Sequence, residues 1–547
     1  MSFGQTFWGN LSISINMGLI LILPIIFVVS TLAFNRLYVS GKDVKVTGLR
    51  RGLLAVLLLA GLAGLGVFSL PYNTILSLAR SFSPDGQVAS LTEGLYGQAA
   101  VVMRLLGGLC LLGGILGWFF KKPLEAVLRR LAVWLVAEAH RWSQAAEEFW
   151  TDIKNKQPSA REWLGLAALM LAAGVVRAFY LYKPFLHDEA YTYVGFASRS
   201  LRAVMTDYSL PNNHVFHTIL VHFSTQIFGV EPWAVRLPSY IAGILCVAAA
   251  YFLARRLYNR PAAWLAAALV AASPDLATKS ADARGYMILA LISLLIFWLG
   301  AGLRLKSNRF AWLLLAVFSA LGLYDVPTMM YPFGALMGWL GLSALIGDLG
   351  QPSEHWKYIA RLVACGLAAG VLTLLLYGPI LIGSGPESLF GNRFVRPMLW
   401  NDFLAIIPVH WAETWGAWSY GIPLAEGLFG IGLLLSLILN YRLTRQILPM
   451  SLLTFILIAA AVTVQRANPW ARLWTFLLPL VWVWVAAGWV WLIEWLMARR
   501  KSWLTPVMGG LVLLALAGGL WNAYDFYRQG GTDTGTVERM VLGIKDE

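Results

Sequence analysis

Two adjacent acids, Asp188 and Glu189, stand in the run HDEAYTY (187–193), directly after an apolar stretch of the chain. An ionisable side chain costs about 3 kcal/mol at a bilayer centre, so acids at the mouth of a membrane span point to chemistry at a membrane face. His187, Tyr191 and Tyr193 keep them company. Successive helical residues point about 100° apart, so the two carboxylates are not expected to address one substrate atom. Asp188 is the expected chemical residue. Glu189 is expected to support it, by capping the following helix or holding a neighbouring arginine. The same loop, about 183–234, also carries PNNHVFHT (211–218), with Asn212, Asn213, His214 and His217. The two histidines are three apart and share a face if the segment is helical, where either can donate to an anion.

Further polar groups recur between later apolar runs. SPDLATKSADARGYM (273–287) supplies Lys279, Asp282 and Arg284 just before a span, RANPWARLWTF (466–476) supplies Arg466 and Arg472, and Asp325 opens the turn before Pro327. Arginine is suited to phosphate because its planar fork matches two oxygens at once. Asp188, Glu189, His214, His217 and Asp282 are all oxygen or nitrogen ligands for a divalent ion, but no tight DxD or HxH pair appears, so no metal and no cofactor is expected.

These groups need a membrane scaffold, and the composition supplies one. Of 547 residues 59% are hydrophobic and 13% charged, and mean hydropathy is +0.66. Continuous apolar runs of roughly 20 residues recur, whereas a β-barrel would alternate, so the expected fold is an all-α polytopic membrane protein. Spans are expected at 13–35, 52–71, 99–119, 163–182, 235–254, 261–273, 285–303, 310–324, 331–347, 360–382, 423–440, 448–464, 472–497 and 503–522. The net charge of +14 gathers in short loops at 36–51, 254–260, 304–309, 441–445 and 498–501, which alternating crossings place on one side, the cytoplasmic one. HDEAYTY, the loop around 274–285, the turn at 325–331, the stretch 383–422 and the QRANPWAR turn then share the opposite face. No basic patch with interleaved aromatics lies outside the spans, so nucleic acid is not an expected partner.

Residues 121–156 differ in kind. Leu124, Leu128, Leu131, Leu135, Ala139 and Trp142 follow helical spacing with charged residues off that stripe, as in a helix lying in the membrane interface. The expected organisation is a three-helix membrane unit (1–120), a cytoplasmic amphipathic interfacial helix (121–158), a membrane core of about eleven helices (159–525) and a short polar tail (526–547). Cys110, Cys246 and Cys365 sit inside apolar runs and read as buried thiols. The first apolar stretch lacks a basic flank and a cleavage site and reads as a retained helix. HWAETWGAWSY (410–420) places three tryptophans where indole rings prefer the headgroup zone.

The DE pair after the first core helix, the Pro/Asn/His-rich run, the ADARGYM start of a later span and the Arg472 helix together resemble the polyprenyl-phosphate-sugar-dependent glycosyltransferases of the GT-C superfamily. That group includes protein O-mannosyltransferases and the aminoarabinose transferase of lipid A, and the resemblance covers about residues 160–525. It implies a GT-C-like core and an inverting transfer of a sugar from a polyprenyl-phosphate donor to a hydroxyl acceptor. The expected setting is the extracytoplasmic face of a bacterial or archaeal plasma membrane. It further implies Asp188 as general base and cations on the departing phosphate, with Arg284, Arg472, Lys279 and His214 as candidates and His217 beside them. The chain departs from the pattern by carrying PNNHVFHT where relatives carry Lys followed by prolines or a His-Pro-Pro run.

Two alternatives remain. A transporter or lipid-linked-sugar flippase would also bury ionisable groups, but at midplane on broken, repeated helices, and no clear internal repeat appears here. An inactive scaffold of the same fold is the other, kept open by the missing Lys-Pro-Pro run.

Overall fold

The computed structural model describes residues 46–81, 93–183, 185–350, 355–383, 387–391, 396–468 and 470–529. Among them the chain is all-helical, as its periodicity predicts, and it divides into two compact units, residues 1–152 and 153–547. The predicted span 13–35 and most of the predicted tail lie outside the described residues.

The first unit contains α1 (Val46–Val67), α2 (Tyr72–Ser81), α3 (Glu93–Phe119) and all but the last three residues of α4 (Lys121–Asn155). α1 packs on α3 through glycines: a Cβ on Gly107 would stand 3.1 Å from the Gly61 carbonyl. Small residues permit this approach where lipid gives helices no hydrophobic reason to associate. α4 fills the segment read as amphipathic, buries Leu128 and Phe149, and receives Arg50 of α1 on Glu125 at 2.7 Å.

The second unit opens with α5 (Ala160–Ala178), started by a capping box in which Ser159 and Glu162 satisfy each other's backbone N–H. Four short elements follow: α6 (His187–Tyr191), a π-helical turn (Thr192–Ala197), α7 (Leu201–Thr206) and α8 (Val215–Phe228). The region read as one long loop is therefore folded. Next come α9 (Pro232–Leu257), α10 (Arg260–Ala272), α11 (Pro274–Ser280), α12 (Tyr286–Leu305), α13 (Arg309–Asp325), α14 (Met330–Leu345) and α15 (His355–Gly383). The chain ends with α16 (Glu387–Phe390), α17 (Trp400–Ser419), α18 (Ala425–Ile438), α19 (Asn440–Thr444), α20 (Met450–Gln465), a 3₁₀ turn (Ala471–Phe476), α21 (Leu477–Leu496) and α22 (Leu504–Arg528).

Every predicted span from 52–71 onward coincides with a helix. Seven of the described helices are long and apolar enough to cross a membrane: α1, α3, α9, α12, α15, α21 with its preceding turn, and α22 with the 3₁₀ turn Lys501–Trp503 before it. The other spans fall on shorter helices, such as α10, α18 and α20. Burial sorts them by role. In the apolar windows of α12 and α21, 83% and 78% of residues are buried in the protein, against 22% for α15 and 11% for α22. α12 and α21 are thus a protein-lined centre, with α9 and α10 packed on them, and α15 and α22 present apolar side chains outward. The start of α12 and the turn before α21 carry the residues that meet Asp188.

Candidate functional site

Glu189 and Asp188 divide in the way helical geometry demands. Glu189 turns inward and is fully buried; its carboxylate takes Arg236 of α9 in a two-point ion pair, Nε to Oε1 at 2.9 Å and Nη2 to Oε2 at 2.9 Å. It also accepts the backbone N–H of Leu186 at 3.1 Å, the cap of its own helix, and of Ala283 at 2.8 Å. Arg236 spends Nη1 on the carbonyls of Leu181 (2.6 Å) and Lys183 (2.8 Å), and its guanidinium lies 4.2 Å above the Phe185 ring. Glu189 therefore ties α6, α9 and the ADARGYM segment together. It has no lone pair left for a substrate.

Asp188 turns outward, its side chain 39% exposed. Its Oδ2 accepts Arg472 Nη1 at 2.8 Å and lies 3.8 Å from Arg284 Nη1. The backbone holds it in place: the Asp188 carbonyl accepts Thr192 Oγ1 at 2.9 Å and Asn212 Nδ2 at 3.0 Å. Thr192 opens the π-helical turn, a distortion often found at functional sites.

Arg284 is the charged centre of this face. It is 4% exposed, and its Nε and Nη1 are buried without a hydrogen-bond partner. Its Nη2 lies 3.1 Å from His214 Nε2, but His214 Nδ1 already accepts the Gly285 N–H at 2.8 Å. A neutral imidazole with Nδ1 as acceptor carries its proton on Nε2, so a donor faces a donor there. Burial first, and the Arg284 charge second, hold the His214 pKa well below the ordinary 6.5. Arg284 is thus a buried cation with Tyr286, Asp188 and Asp282 near its charge, and it keeps two N–H groups without a hydrogen-bond partner that an anion could take.

A buried network fixes it from behind. Ser239 Oγ donates to the Arg284 carbonyl at 2.9 Å, so it accepts from His217 Nε2 at 3.0 Å, which leaves His217 Nδ1 as a lone pair without a partner. The His217 backbone N–H donates to Asp325 Oδ1 at 2.9 Å. Gly285 is required here: a Cβ would come within 2.5 Å of the Asp325 carboxylate. Burial, then Arg284, lowers the His217 pKa to about 3, with Glu189 opposing.

The sequence-derived candidates therefore separate. Asp188, Arg284 and Arg472 meet; Asn212 supports the first, and His214, His217 and Asp325 support the second. His214 and His217, expected on a phosphate, have buried rings, with His214 beside Arg284 and Gly285 and His217 Nε2 on Ser239. Lys279 sits on α11 with Nζ 4.0 Å from Asp282 Oδ2. Asn213 is buried and holds the carbonyls of Val204 and Asp207 at 2.9 and 2.8 Å. His187 is exposed, its ring 6.4 Å from that of Tyr191, and Tyr193 packs against an apolar cluster with Val221 and Val235. Arg466 lies 5.1 Å from the Trp400 ring. Among the described residues no group of three or more His, Cys, Asp or Glu side chains gathers as a metal site.

Sequence reasoning missed Arg236, Ser239 and Lys183. Arg236 could have been found as a lone cation in the apolar run that begins at Pro232. Lys183 is buried with Nζ on the Thr278 carbonyl at 3.2 Å, and burial lowers its pKa. Ser239 carried no signal, because small hydroxyls are common in membrane helices.

Residues 214–376 match the family model described as dolichyl-phosphate-mannose-protein mannosyltransferase, which bears out the glycosyltransferase resemblance read from the sequence. That range includes His214, Arg236, Arg284 and Asp325; Asp188 and Arg472 flank it. No curated protein sequence gives a significant match. Among solved structures, the archaeal oligosaccharyltransferase AglB from Archaeoglobus fulgidus, in complex with an inhibitory peptide and a dolichol-phosphate, is similar at a TM-score of 0.44 and 12% identity. The likeness covers 68% of this chain and 56% of that one. ArnT from Cupriavidus metallidurans is similar in its apo state at 0.43 and 14%, and bound to undecaprenyl phosphate at 0.44 and 16%. Each of these covers 70% of this chain and 76% of ArnT.

Proposed function

We propose that this chain is an inverting membrane glycosyltransferase that moves a sugar from a polyprenyl-phosphate donor to a hydroxyl acceptor on the non-cytoplasmic face, with Asp188 as general base. The observation that carries the reading is the pairing of a half-exposed Asp188 with a buried Arg284 that keeps two unpaired donors. A base and a cation in need of an oxyanion, side by side, suit a displacement at a carbon bonded to phosphate.

In that displacement the acceptor oxygen forms a bond to the anomeric carbon while Asp188 takes its proton. The bond from that carbon to the phosphate oxygen breaks, and the electron pair stays on the phosphate. Arg284 and Arg472 neutralise the added charge, and donors fixed in a desolvated site do so without reorganising. Arg472 bonds Asp188, and a phosphate competing for that guanidinium would free Oδ2 for the acceptor hydroxyl. General-base assistance is worth about 10²–10⁴-fold. One displacement inverts the anomeric configuration, whereas two would restore it. A prenyl tail has outward-facing apolar helices to lie against, which accounts for a catalytic acid set among so many spans.

The test is turnover of a panel of radiolabelled polyprenyl-phosphate hexose, pentose and aminosugar donors in nanodiscs, with acceptor extracts. Acceptor-dependent transfer, with a product of opposite anomeric configuration to the donor, is expected. Retained configuration would rule out the single displacement, and silence with every donor would overturn the reading.

A further inference from the structure

The cation-rich segment at 304–309 does more than mark a face. Beside it lies a cavity of about 20 Å³ lined by Arg304, Ser307, Tyr358, Arg361 and three leucines. Arg304 caps the end of α12, whose start carries the Arg284 site; the helix has 20 residues, so the two places are about 30 Å apart.

The lining is one-sided in its hydrogen bonding. Arg304 is 6% exposed; its Nη2 pairs with Asp348 Oδ1, while Asp348 Oδ2 accepts the N–H of Ile447 at 3.0 Å and of Leu448 at 3.5 Å. That carboxylate takes N–H groups on both oxygens, and Arg304 Nε has no hydrogen-bond partner. Tyr358 is 4% exposed with its hydroxyl likewise unpartnered. Ser307 Oγ accepts from Trp312 Nε1 at 3.0 Å and from Arg361 Nη1 at 2.9 Å, so both lone pairs are committed and its proton is the free group. Arg361 keeps further N–H groups of its own. The Arg304 charge is balanced by Asp348, and among the described residues no acid pairs with Arg361.

Arg304 Nε and the Tyr358 hydroxyl are buried donors without partners, and an oxyanion would accept from both. The space suits one oxygen, since a water-sized guest occupies about 10–15 Å³ by the same measure. Leu305, 49% exposed at the rim, adds apolar surface where an acyl chain would leave the site.

We propose that this cavity is a phosphate-oxyanion site, distinct from the Asp188 centre, in which one oxygen is held by Arg304 Nε, Tyr358 and Ser307 and the rest of the group meets Arg361. A phospholipid headgroup and free inorganic phosphate share this chemistry, and the test separates them. The delipidated full-length protein is melted in detergent with inorganic phosphate or with phosphatidylglycerol, phosphatidylcholine serving as the lipid control. Wild type, Tyr358→Phe, Arg361→Ala and Arg284→Gln are compared. Tyr358→Phe keeps the ring that stacks edge-on against Trp312 at 5.3 Å and removes only the hydroxyl.

Stabilisation by phosphatidylglycerol alone would identify the lipid, and stabilisation by phosphate the free ion. In either case the site predicts an apparent affinity about tenfold weaker in Tyr358→Phe and in Arg361→Ala, with the same loss when each change is made on the Arg284→Gln background, which removes anion binding at the Asp188 centre. No stabilisation by either ligand, or stabilisation that both cavity variants leave intact, would overturn the proposal.

Discussion

Arg284 Nη1 lies 3.8 Å from Asp188 Oδ2, close enough for attraction and too far for a hydrogen bond, while Arg472 makes the bond at 2.8 Å. The buried arginine is thus held next to the acid without being satisfied by it. Its backbone is anchored by Ser239 and its guanidinium crowded by His214, so it cannot swing over to close the gap cheaply.

Arg284→Lys is expected to leave the protein folded and to lower kcat for sugar transfer by on the order of 10²–10³, the usual cost of losing one fixed donor to developing negative charge. A lysine keeps the charge and loses the fork. Steady-state kinetics with a competent donor check this; an unchanged kcat would mean that Arg284 is only structural.

Glu189→Gln should act on stability. It leaves Arg236 buried opposite a neutral amide, and breaking a buried pair typically costs about 3–5 kcal/mol. Thermal unfolding in detergent should show a marked drop in Tm, larger than for Asp188→Asn. Equal melting of the two variants would contradict the division of labour between the paired acids.

Legibility in the sequence followed the range of the interaction. Apolar periodicity located the helices, because a membrane span must satisfy its backbone internally wherever it sits. Asp188 stood out because acid at a span's mouth is costly, and the expected pairing of Glu189 with an arginine is what the geometry holds. The identity of that arginine was not legible, since Arg236 is 47 positions away and is joined to Glu189 only by tertiary folding. The surroundings of the histidines were not legible for a related reason: three-residue spacing told which face they share, and only packing tells that their rings meet Ser239, Arg284 and Gly285. Residues 183–234 read as loop because their helices are short, and short helices leave a weak periodic signal.

Gly285→Ala should be destabilising through Asp325. The added methyl would meet the carboxylate at 2.5–2.7 Å, and overpacking of a filled site costs about 1–3 kcal/mol. Asp325→Ala makes room, so the double variant should melt higher than additivity of the two single changes allows. Strict additivity would show that the two residues do not touch.

Stability should fall in mild acid through His217. Its folded pKa is about 3 against an ordinary 6.5, so below about pH 6.5 the unfolded chain binds a proton that the folded chain refuses. This contribution is fully present above 6.5 and is lost progressively as pH drops toward 3, by up to about 1.4 kcal/mol per pH unit. Melting curves between about pH 7.5 and about pH 5 should slope less steeply for His217→Gln than for wild type; parallel slopes would contradict the buried neutral imidazole.

The central claim rests on Asp188, and Asp188→Asn tests it most directly. The amide keeps the size of the side chain and the hydrogen bond to Arg472, but cannot take a proton. Donor binding and acceptor-dependent transfer are measured on the same nanodisc preparation for wild type and variant. The account predicts donor binding within a few-fold of wild type and transfer lowered by about 10²–10⁴-fold. Transfer at the wild-type rate by Asp188→Asn would contradict it and remove the base from the proposed reaction.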